Sequence, residues 1–231
     1  MSAGSIRARV RAEMIEEIKT VARRYLATDG ANLSLRAVAR DMGMVSSALY
    51  RYFASRDDLL TALIVDGYNA LGEAVEQGDA EITDRTDLEG RWLAVCRAVR
   101  RWALANPSEY ALLFGSPVPG YTAPQDTIVA AARTPTTLIR IIRDGYTSGA
   151  LTDRDTGDLP DEVRADLKKV LEQVAPGLPE PLLALGAMGW IHLFGAVSFE
   201  LFGQLNNVID ARPAYFDYQM RHIAELIGLR G

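Results

Sequence analysis

Apolar residues recur along most of the chain at the spacing that places them on one side of an α-helix. No strong run shows the apolar–polar alternation expected of a half-buried strand. The pattern therefore predicts an all-α protein. The predicted helices span about 6–28, 35–42, 45–51, 56–77, 87–105, 107–115, 125–149, 161–174, 180–203 and 212–228.

Polar and Pro-rich stretches separate these predicted helices. The acidic segments 78–86 and 152–162, and the Pro- and Gly-rich segment 116–124, are predicted to be loops. Within 125–149, Pro135 is expected to kink or restart the helix, because proline has no backbone N–H to donate.

The composition is that of a globular protein, with 231 residues of which 48% are hydrophobic and 24% charged. A single cysteine excludes a disulfide framework and a cysteine-based zinc site, and two histidines argue against a His-rich metal site. No metal or cofactor is expected.

The N-terminus lacks an apolar signal segment, and the longest apolar run, 182–197, is shorter than the ~20 residues of a spanning helix. We therefore expect a cytoplasmic protein without a membrane partner.

Charge is distributed unevenly along the chain. The net charge is −5, but residues 1–55 contain nine basic and five acidic residues and are +4, which leaves −9 for the remainder. A basic segment joined to an acidic one is typical of a DNA-binding module attached to a different functional module. Charge alone also fits chance clustering on a solvated surface.

The segment 33–53 has the pattern of a helix-turn-helix. Two short helices flank Gly43, a residue that can adopt a positive φ in a tight turn. The polar outer surface of the second helix fits a major groove, with short side chains near bases and longer ones near phosphates. The residues expected to face inward are Leu35, Val38, Ala39, Val45, Leu49 and Phe53, and those expected to face outward are Ser46, Ser47, Tyr50 and Arg51.

Residues 31–60 resemble the N-terminal domain of the TetR/AcrR family of bacterial transcriptional regulators. The motifs that carry this resemblance are Leu35-Arg36-Ala37-Val38-Ala39, Gly43-Met44-Val45-Ser46, Leu49-Tyr50-Arg51-Tyr52-Phe53 and Arg56-Asp57-Asp58-Leu59-Leu60. Arg56 departs from the lysine that is usual in the family, although both side chains can meet a phosphate.

The resemblance implies that double-stranded DNA is the partner and assigns DNA-binding roles by motif position. Ser46, Ser47 and Arg51 face bases or nearby phosphates, and Tyr50, Tyr52 and Arg56 hold the DNA backbone. Ser34 caps the first of the two helices and is placed near a phosphate. The basic residues Arg7, Arg9 and Arg11 precede the fold proper, where they either reach phosphates or a minor groove or form a solvated tail.

The C-terminal part resembles a TetR subgroup with a Trp-x-His-x-x-Gly motif, here Trp190-Ile191-His192-Leu193-Phe194-Gly195. We divide the chain into a three-helix DNA-binding domain, 1–53, and an antiparallel helical ligand-binding and dimerisation domain, 54–231, connected by the helix from about 56. The predicted helix 180–203 is apolar nearly all round. One side of it can pack on its own core, and the other side needs a second apolar surface to pack against. We expect a homodimer through this helix and 212–228, with Gly186, Gly189 and Gly195 facing the partner.

An apolar or aromatic small-molecule effector is expected within this second domain. The candidate effector-contacting residues are aromatic, with one cysteine and one histidine, and they are Trp92, Cys96, Trp102, Tyr110, Phe114, Tyr146, Trp190 and His192. Most of these side chains would equally fill an ordinary core.

We predict a ligand-responsive repressor that binds a palindromic operator as a homodimer and is not an enzyme. One alternative is an all-α enzyme that uses His192, Glu200 and Tyr110, although no catalytic motif supports it. Another is a DNA-binding regulator controlled by a protein partner without a small-molecule effector. Segment 153–164 has a calcium-loop-like start, but its glycine and its twelfth residue do not fit.

Overall fold

The computed structural model describes residues 3–29, 33–152 and 159–230. These residues form helices and no strands, so the all-α prediction is confirmed. The calcium-loop-like segment lies largely outside them. The helices are α1 (Ala3–Asp29), α2 (Leu35–Asp41), α3 (Ser46–Leu49), α4 (Arg56–Glu81), α5 (Leu88–Ala105), α6 (Pro107–Phe114), α7 (Asp126–Ala131), α8 (Arg133–Thr147), α9 (Asp161–Val174), α10 (Glu180–Leu201) and α11 (Arg212–Ile227).

The helices form two compact units. The first unit comprises residues 1–69 and 106–131, and the second comprises residues 70–105 and 132–231. Helix α4 is continuous across residues 69 and 70, so one helix belongs to both units. The functional boundary at residues 53 and 54 stays a prediction.

The core of the first unit is built by α1–α3 and the start of α4. Its buried apolar side chains exclude water, which is the main favourable contribution to folding. They are Ile18, Val21, Ala22, Leu26, Leu33, Leu35, Val38, Ala39, Leu49, Phe53, Leu59, Leu60 and Leu63.

Helix α4 extends to Glu81, although the polar residues from 78 onward predict a loop. Two features stabilise this extra turn. A side chain at Gly78 would come within 3.1 Å of Ala94 and Ala98, so glycine lets α4 approach α5 closely. Asp79 is buried and pairs with Arg91 of α5 at 2.8 Å. The loop prediction is therefore wrong for 78–81, because a buried partner outweighs local polarity.

Pro135 marks a helix restart, as predicted. Helix α7 ends at Ala131 and α8 begins at Arg133, which puts Pro135 in the first turn of α8. A proline is tolerated there because the first amides of a helix have no intrahelical partner.

In the second unit, α5 packs against α8, α10 and α11. The buried indole of Trp92 donates a 3.0 Å hydrogen bond to the carbonyl of Met220 in α11. Two-point pairs between Arg97 and Asp217 and between Arg100 and Glu200 hold α5 to α11 and α10.

Two of the three glycines expected to face a dimer partner instead face helices of their own chain. A side chain at Gly186 would meet Ile142 of α8 at 2.7 Å, and one at Gly189 would meet Trp92 at 2.8 Å. That part of the prediction is wrong, because the buried side of α10 needs the same close approach. Gly195 is exposed, and a Cβ added there would meet no atom within 4 Å, so it can still face a partner.

Candidate nucleic-acid interface and effector cavity

The turn between α2 and α3 has the geometry of a helix-turn-helix. Gly43 has φ +65°, the left-handed conformation that glycine adopts without strain. The amide of Met44 donates to the carbonyl of Ala39 at 2.8 Å, and that of Gly43 donates to Arg40 at 3.1 Å. No atom lies within 4 Å of a Cβ built on Gly43, so its backbone angle, rather than space, requires glycine.

Side-chain caps fix the helix starts on both sides of this turn. The Ser34 hydroxyl accepts a hydrogen bond from the amide of Ala37 at 3.5 Å, which confirms its predicted capping role at α2. At α4, Ser55 Oγ accepts from the amide of Asp58, and the Asp58 carboxylate accepts from the amide of Ser55. This reciprocal arrangement is a capping box, and it fixes where α4 begins.

Helix α3 and the turn that directly follows it carry most of the predicted DNA-binding side chains. Ser47, Tyr50 and Arg51 are exposed, whereas Ser46 and Tyr52 are half-buried. The sequence predicts that Val45 faces inward, but Val45 is 71% exposed. That prediction is wrong because Val45 is the extended residue that precedes the first turn of α3, where its side chain is directed away from the core.

Helix α1 contributes a further side chain to this surface. Arg7, Arg9 and Arg11 are helical rather than part of a tail before the domain. Arg11 donates to the carbonyl of Arg51 at 3.2 Å, and its guanidinium lies 5.2 Å from the centre of the Tyr52 ring. Sequence reasoning does not find this contact, because 40 residues separate Arg11 from Arg51.

Arg56 supports the fold as well as being a predicted phosphate contact. Its side chain is half-buried, and its Nε donates to the carbonyl of Leu33 at 3.2 Å. Arg56 therefore connects the start of α4 to the residue that precedes the Ser34 cap.

Several basic residues of the first unit are paired internally. Lys19 contacts Glu16 and Asp66 at 2.6 and 2.7 Å, and Arg23 contacts Asp66 at 2.6 Å. Burial of Lys19 lowers its pKa, but the hydrogen bonds with Asp66 and Glu16 outweigh burial and raise the pKa above its usual value. These charges stabilise the unit, so the positive charge of residues 1–55 is not all available to DNA.

The second unit contains an ionic cluster around the buried pair of Asp79 and Arg91, defined here as Asp79, Arg85, Arg91, Arg140 and Asp144. Arg91 is fully buried and contacts Asp79 and Asp144, each at 2.8 Å. Arg85 and Arg140 reach the same Asp79 carboxylate at 2.6 and 3.2 Å. Burial raises the pKa of Asp79, but hydrogen bonds from Arg91 and Arg85 outweigh it and hold the pKa below its usual value.

Helix α8 is also paired to α4. Arg133 donates two hydrogen bonds to the Glu76 carboxylate, at 2.9 and 2.7 Å. Its side chain lies across Gly72 of α4, where an added Cβ would meet Arg133 at 2.7 Å. The hydrogen bonds from Arg133 lower the pKa of Glu76.

A cavity of about 220 Å³ lies between α8, α9 and α10 in the second unit. Its lining is apolar, and it consists of Pro135, Leu138, Ile139, Ile142, Leu167, Val170, Leu183, Gly186, Ala187 and Trp190.

The eight candidate effector-contacting residues do not form one site. Trp190 lines the cavity, and Tyr110 and Phe114 lie in the first unit, where their rings are 4.9 Å apart. The other five belong to the second unit and do not line this cavity, with Trp102 and Tyr146 half-buried.

Three of those five have a defined local environment. Trp92 and Cys96 are buried in the core, where burial raises the pKa of the Cys96 thiol well above its usual value. His192 is exposed, with Nε2 3.1 Å from the amide oxygen of Gln219.

One side of α10 and of α11 exposes apolar residues to solvent. We call this the apolar stripe, and it consists of Met188, Ile191 and Phe199 on α10, Phe202 directly after α10, and Tyr215, Tyr218 and Leu226 on α11. By length and composition, α10 also qualifies as a membrane-spanning helix, the one such helix in the described part of the chain.

Comparisons with known proteins assign the chain to a family. Residues 18–63 match the model of bacterial regulatory proteins of the tetR family, and residues 92–223 match the tetracyclin repressor-like C-terminal domain. The chain belongs to the TetR family. It is 38% identical over 222 residues to the HTH-type transcriptional regulator Rv1816 of Mycobacterium tuberculosis, with 93% of each chain covered. The regulator Mb1846 of Mycobacterium bovis matches to the same extent.

Solved TetR-like structures share the fold. The crystal structure of the regulatory protein SCO4313 is 30% identical, covers 94% of this chain and 98% of its own, and gives a TM-score of 0.76. The TetR-family regulator PfmR from Thermus thermophilus is 18% identical with a TM-score of 0.57 over 93% and 97% of the two chains. At that identity, PfmR supports the fold alone.

Family membership makes this protein a DNA-binding transcriptional regulator rather than an enzyme, as the sequence predicts. The residues proposed for the enzyme alternative are also engaged elsewhere. Glu200 is buried and paired with Arg100, and Tyr110 lies in a different unit from His192. TetR-family regulators are usually dimers.

Proposed function

We propose that this TetR-family protein is a cytoplasmic repressor that binds a palindromic operator as a homodimer and releases it when a small apolar molecule binds the second unit. The exposed surface formed by α3 and the turn that follows it is the observation that carries this proposal. Ser47 projects from α3, and Tyr50 and Arg51 project from the turn directly after it, while the Gly43 turn precedes the helix. Two such helices, one from each protomer, would read half-sites ~34–36 Å apart.

We assign the DNA contacts by the reach of each side chain. Ser46 and Ser47 are short and near the start of α3, where they reach base edges, and Arg51 reaches bases or nearby phosphates. Tyr50, Tyr52, Arg56 and Ser34 contact the DNA backbone. Val45 adds an exposed apolar group beside Ser46, and it fits against the methyl group of a thymine.

The apolar stripe is the proposed dimer interface. When Gly195 is included, the stripe residues at 188, 191, 199 and 202 recur every three or four positions, which places all five on one side of α10 and its C-terminal end. A second copy would cover both α10 and α11 and complete a four-helix bundle around a two-fold axis. His192 lies on this side, which gives the Trp-x-His-x-x-Gly motif of the proposed subgroup an interface role.

Helix α8 provides the proposed route from effector to DNA. Pro135, Leu138 and Ile142 line the cavity, whereas Arg133 and Arg140 contact Glu76 and Asp79 of α4. A molecule that displaces α8 would therefore act on α4, which continues into the first unit. Coupling of ~1–3 kcal/mol is enough for about 5–150-fold release of DNA.

Selection of bound duplexes from a random DNA library, followed by binding at two salt concentrations, tests this function. We expect a palindromic consensus, and an affinity that falls with salt because phosphate contacts release counterions. A folded protein that recovers no consensus, after denaturing extraction has excluded a co-purified ligand, would contradict the proposal.

A further inference from the structure

The cavity between α8, α9 and α10 has a definite size and chemistry. Its volume of about 220 Å³ exceeds the ~150 Å³ of an engineered apolar cavity that binds benzene. It is smaller than the ~300–1,000 Å³ of typical drug-sized sites. None of its lining residues carries a charged side chain. The space therefore fits one substituted aromatic ring or a short alkyl chain.

We propose that this cavity binds a neutral, apolar molecule of about that size, with the indole of Trp190 forming one wall. The inference names the ligand class and the site for the effector that the proposed function requires, and its regulatory meaning rests on that function. A carboxylate or ammonium group is excluded from the interior, because the free-energy cost of burying an unpaired charge is far larger than the free energy gained from apolar contacts.

The walls of the cavity come from three different helices, and two of these helices approach closely at one edge. Gly186 has no side chain, and a Cβ there would meet Ile142 at 2.7 Å, so glycine lets α10 pack against α8 at this point. The Trp190 ring is held in an edge-to-face arrangement with Phe194, with centroids 6.3 Å apart. Val170 and Trp190 are 42% and 41% exposed, so the cavity opens to solvent between α9 and α10.

The cavity and the proposed dimer interface lie on adjoining sides of α10. At 3.6 residues per turn, Trp190 lies about 160–200° around α10 from Met188 and Phe199 of the apolar stripe, whereas the cavity residue Ala187 lies about 40° from Ile191. A second copy seated on the stripe therefore leaves the Trp190 wall uncovered and adjoins the Ala187 wall. A small molecule is the occupant that fits an apolar space of this volume.

Calorimetry with toluene and benzoate on the full chain tests the proposal, because the two probes have similar size and differ in charge. We expect toluene to bind saturably and to shift tryptophan emission, and benzoate to bind at least about tenfold more weakly. Trp190→Phe should abolish most of the emission shift while calorimetry still detects toluene.

Val170→Phe and Ala187→Leu fill the cavity from two walls and should each weaken toluene binding about tenfold or more. Val163→Phe is the matched control, since Val163 has the same 42% exposure on the same helix and does not line the cavity. Helical circular dichroism before titration establishes that each variant is folded.

Equal affinity for toluene and benzoate, or equal effects of Val170→Phe and Val163→Phe, would overturn the proposal. So would the absence of toluene binding to a protein that still selects an operator, a result that leaves the regulator function intact. Toluene binding that depends on Val170, in a protein that selects no operator, supports the cavity site and contradicts the proposed function instead.

Discussion

Arg133 of α8 and Glu76 of α4 form a two-point ion pair, with nitrogen–oxygen distances of 2.9 and 2.7 Å. The planar guanidinium matches the carboxylate, so the pair fixes direction as well as distance. Both side chains remain partly exposed, and the pair should therefore contribute little to overall stability. The structural role of the pair is to hold α8 against α4 in one geometry.

Arg133→Gln should uncouple effector binding from DNA release. We expect toluene to bind this variant with unchanged affinity, because Arg133 does not line the cavity. Toluene-driven release of the operator should fall by part of the ~1–3 kcal/mol of coupling. Operator affinity measured with and without toluene checks this. Arg101→Gln, at an exposed position of α5, is the control. Unchanged release in Arg133→Gln would remove this pair from the route.

Asp79→Asn should destabilise the second unit strongly. The substitution leaves the fully buried Arg91 with only Asp144 as a carboxylate partner, and breaking a buried pair costs about 3–5 kcal/mol. Denaturant unfolding followed by circular dichroism measures the loss. Asp166→Asn removes an exposed carboxylate whose partner Lys169 is also exposed, and it should leave the melting temperature unchanged. Equal stability of the two variants would count against a structural role for the cluster.

The lowered pKa of Asp79 predicts how the stability of the folded protein depends on pH. The pKa of Asp79 is lower in the folded protein than its usual value of 3.8, so the unfolded chain binds a proton more readily. The stabilisation is fully present above that unfolded value and is lost as pH falls through the lower folded pKa. Wild type should therefore lose stability below about pH 4, and Asp79→Asn should lose less over the same interval. Parallel pH profiles would contradict this.

Tyr50→Phe should weaken binding to operator and random duplex alike. Tyr50 is 45% exposed directly after α3, and we expect its hydroxyl to contact a phosphate, which carries no sequence information. Loss of one hydrogen bond should weaken the binding free energy for each of the two duplexes by about 0.5–1.5 kcal/mol. Fluorescence anisotropy with both duplexes measures it, and Tyr146→Phe in the second unit is the control. Wild-type affinity in Tyr50→Phe would exclude the contact.

Val45→Ser should remove sensitivity to one thymine methyl group per half-site. Replacing that thymine by deoxyuridine should cost wild type about 0.8 kcal/mol, the value of one buried methylene-sized group, and should cost the variant nothing. Scanning the operator with single deoxyuridine substitutions identifies the position. Because Val45 is largely exposed and is the N-cap residue of α3, where serine is favoured, the substitution should not lower the melting temperature. A wild-type protein indifferent to every such substitution would contradict the contact.

Ile191→Glu should break the dimer. Ile191 is 65% exposed within the apolar stripe, and an interface there would bury two unpaired carboxylates by symmetry. Sedimentation analysis should show monomers where wild type is dimeric, with operator binding lost in parallel. Val163→Glu places the same charge on exposed α9 and should remain dimeric. A dimeric Ile191→Glu variant would place the interface elsewhere.

Local sequence signals predict the first unit well. The Gly43 turn, the Ser34 cap and the core positions of α2 all depend on neighbours within a few residues. Val45 is the exception, because an apolar residue in an apolar motif gives no sign of being exposed. Its direction follows from the backbone just before the first turn of α3.

The second unit could not be predicted to the same depth, because its decisive contacts join distant segments. Glu76 and Arg133 are 57 residues apart, and Arg97 and Asp217 are 120 apart. The aromatic residues predicted to form one effector site lie in both units, and some of them fill the core while Trp190 lines the cavity. Residue type alone could not predict this, because the same aromatic residues occur in a filled core and in the wall of a cavity. Trp190 is the candidate that the cavity retains.

The two sides of α8 have a consequence for how such a regulator can change. Under the proposed function, Leu138, Ile139 and Ile142 would select which molecule fits, and Arg133 and Arg140 on the opposite side would set how firmly the helix holds α4. Substitutions on one side would therefore retune the inducer while the dynamic range of the response is inherited unchanged. A sensor for a different hydrocarbon would then be obtainable from this scaffold without redesigning its switch.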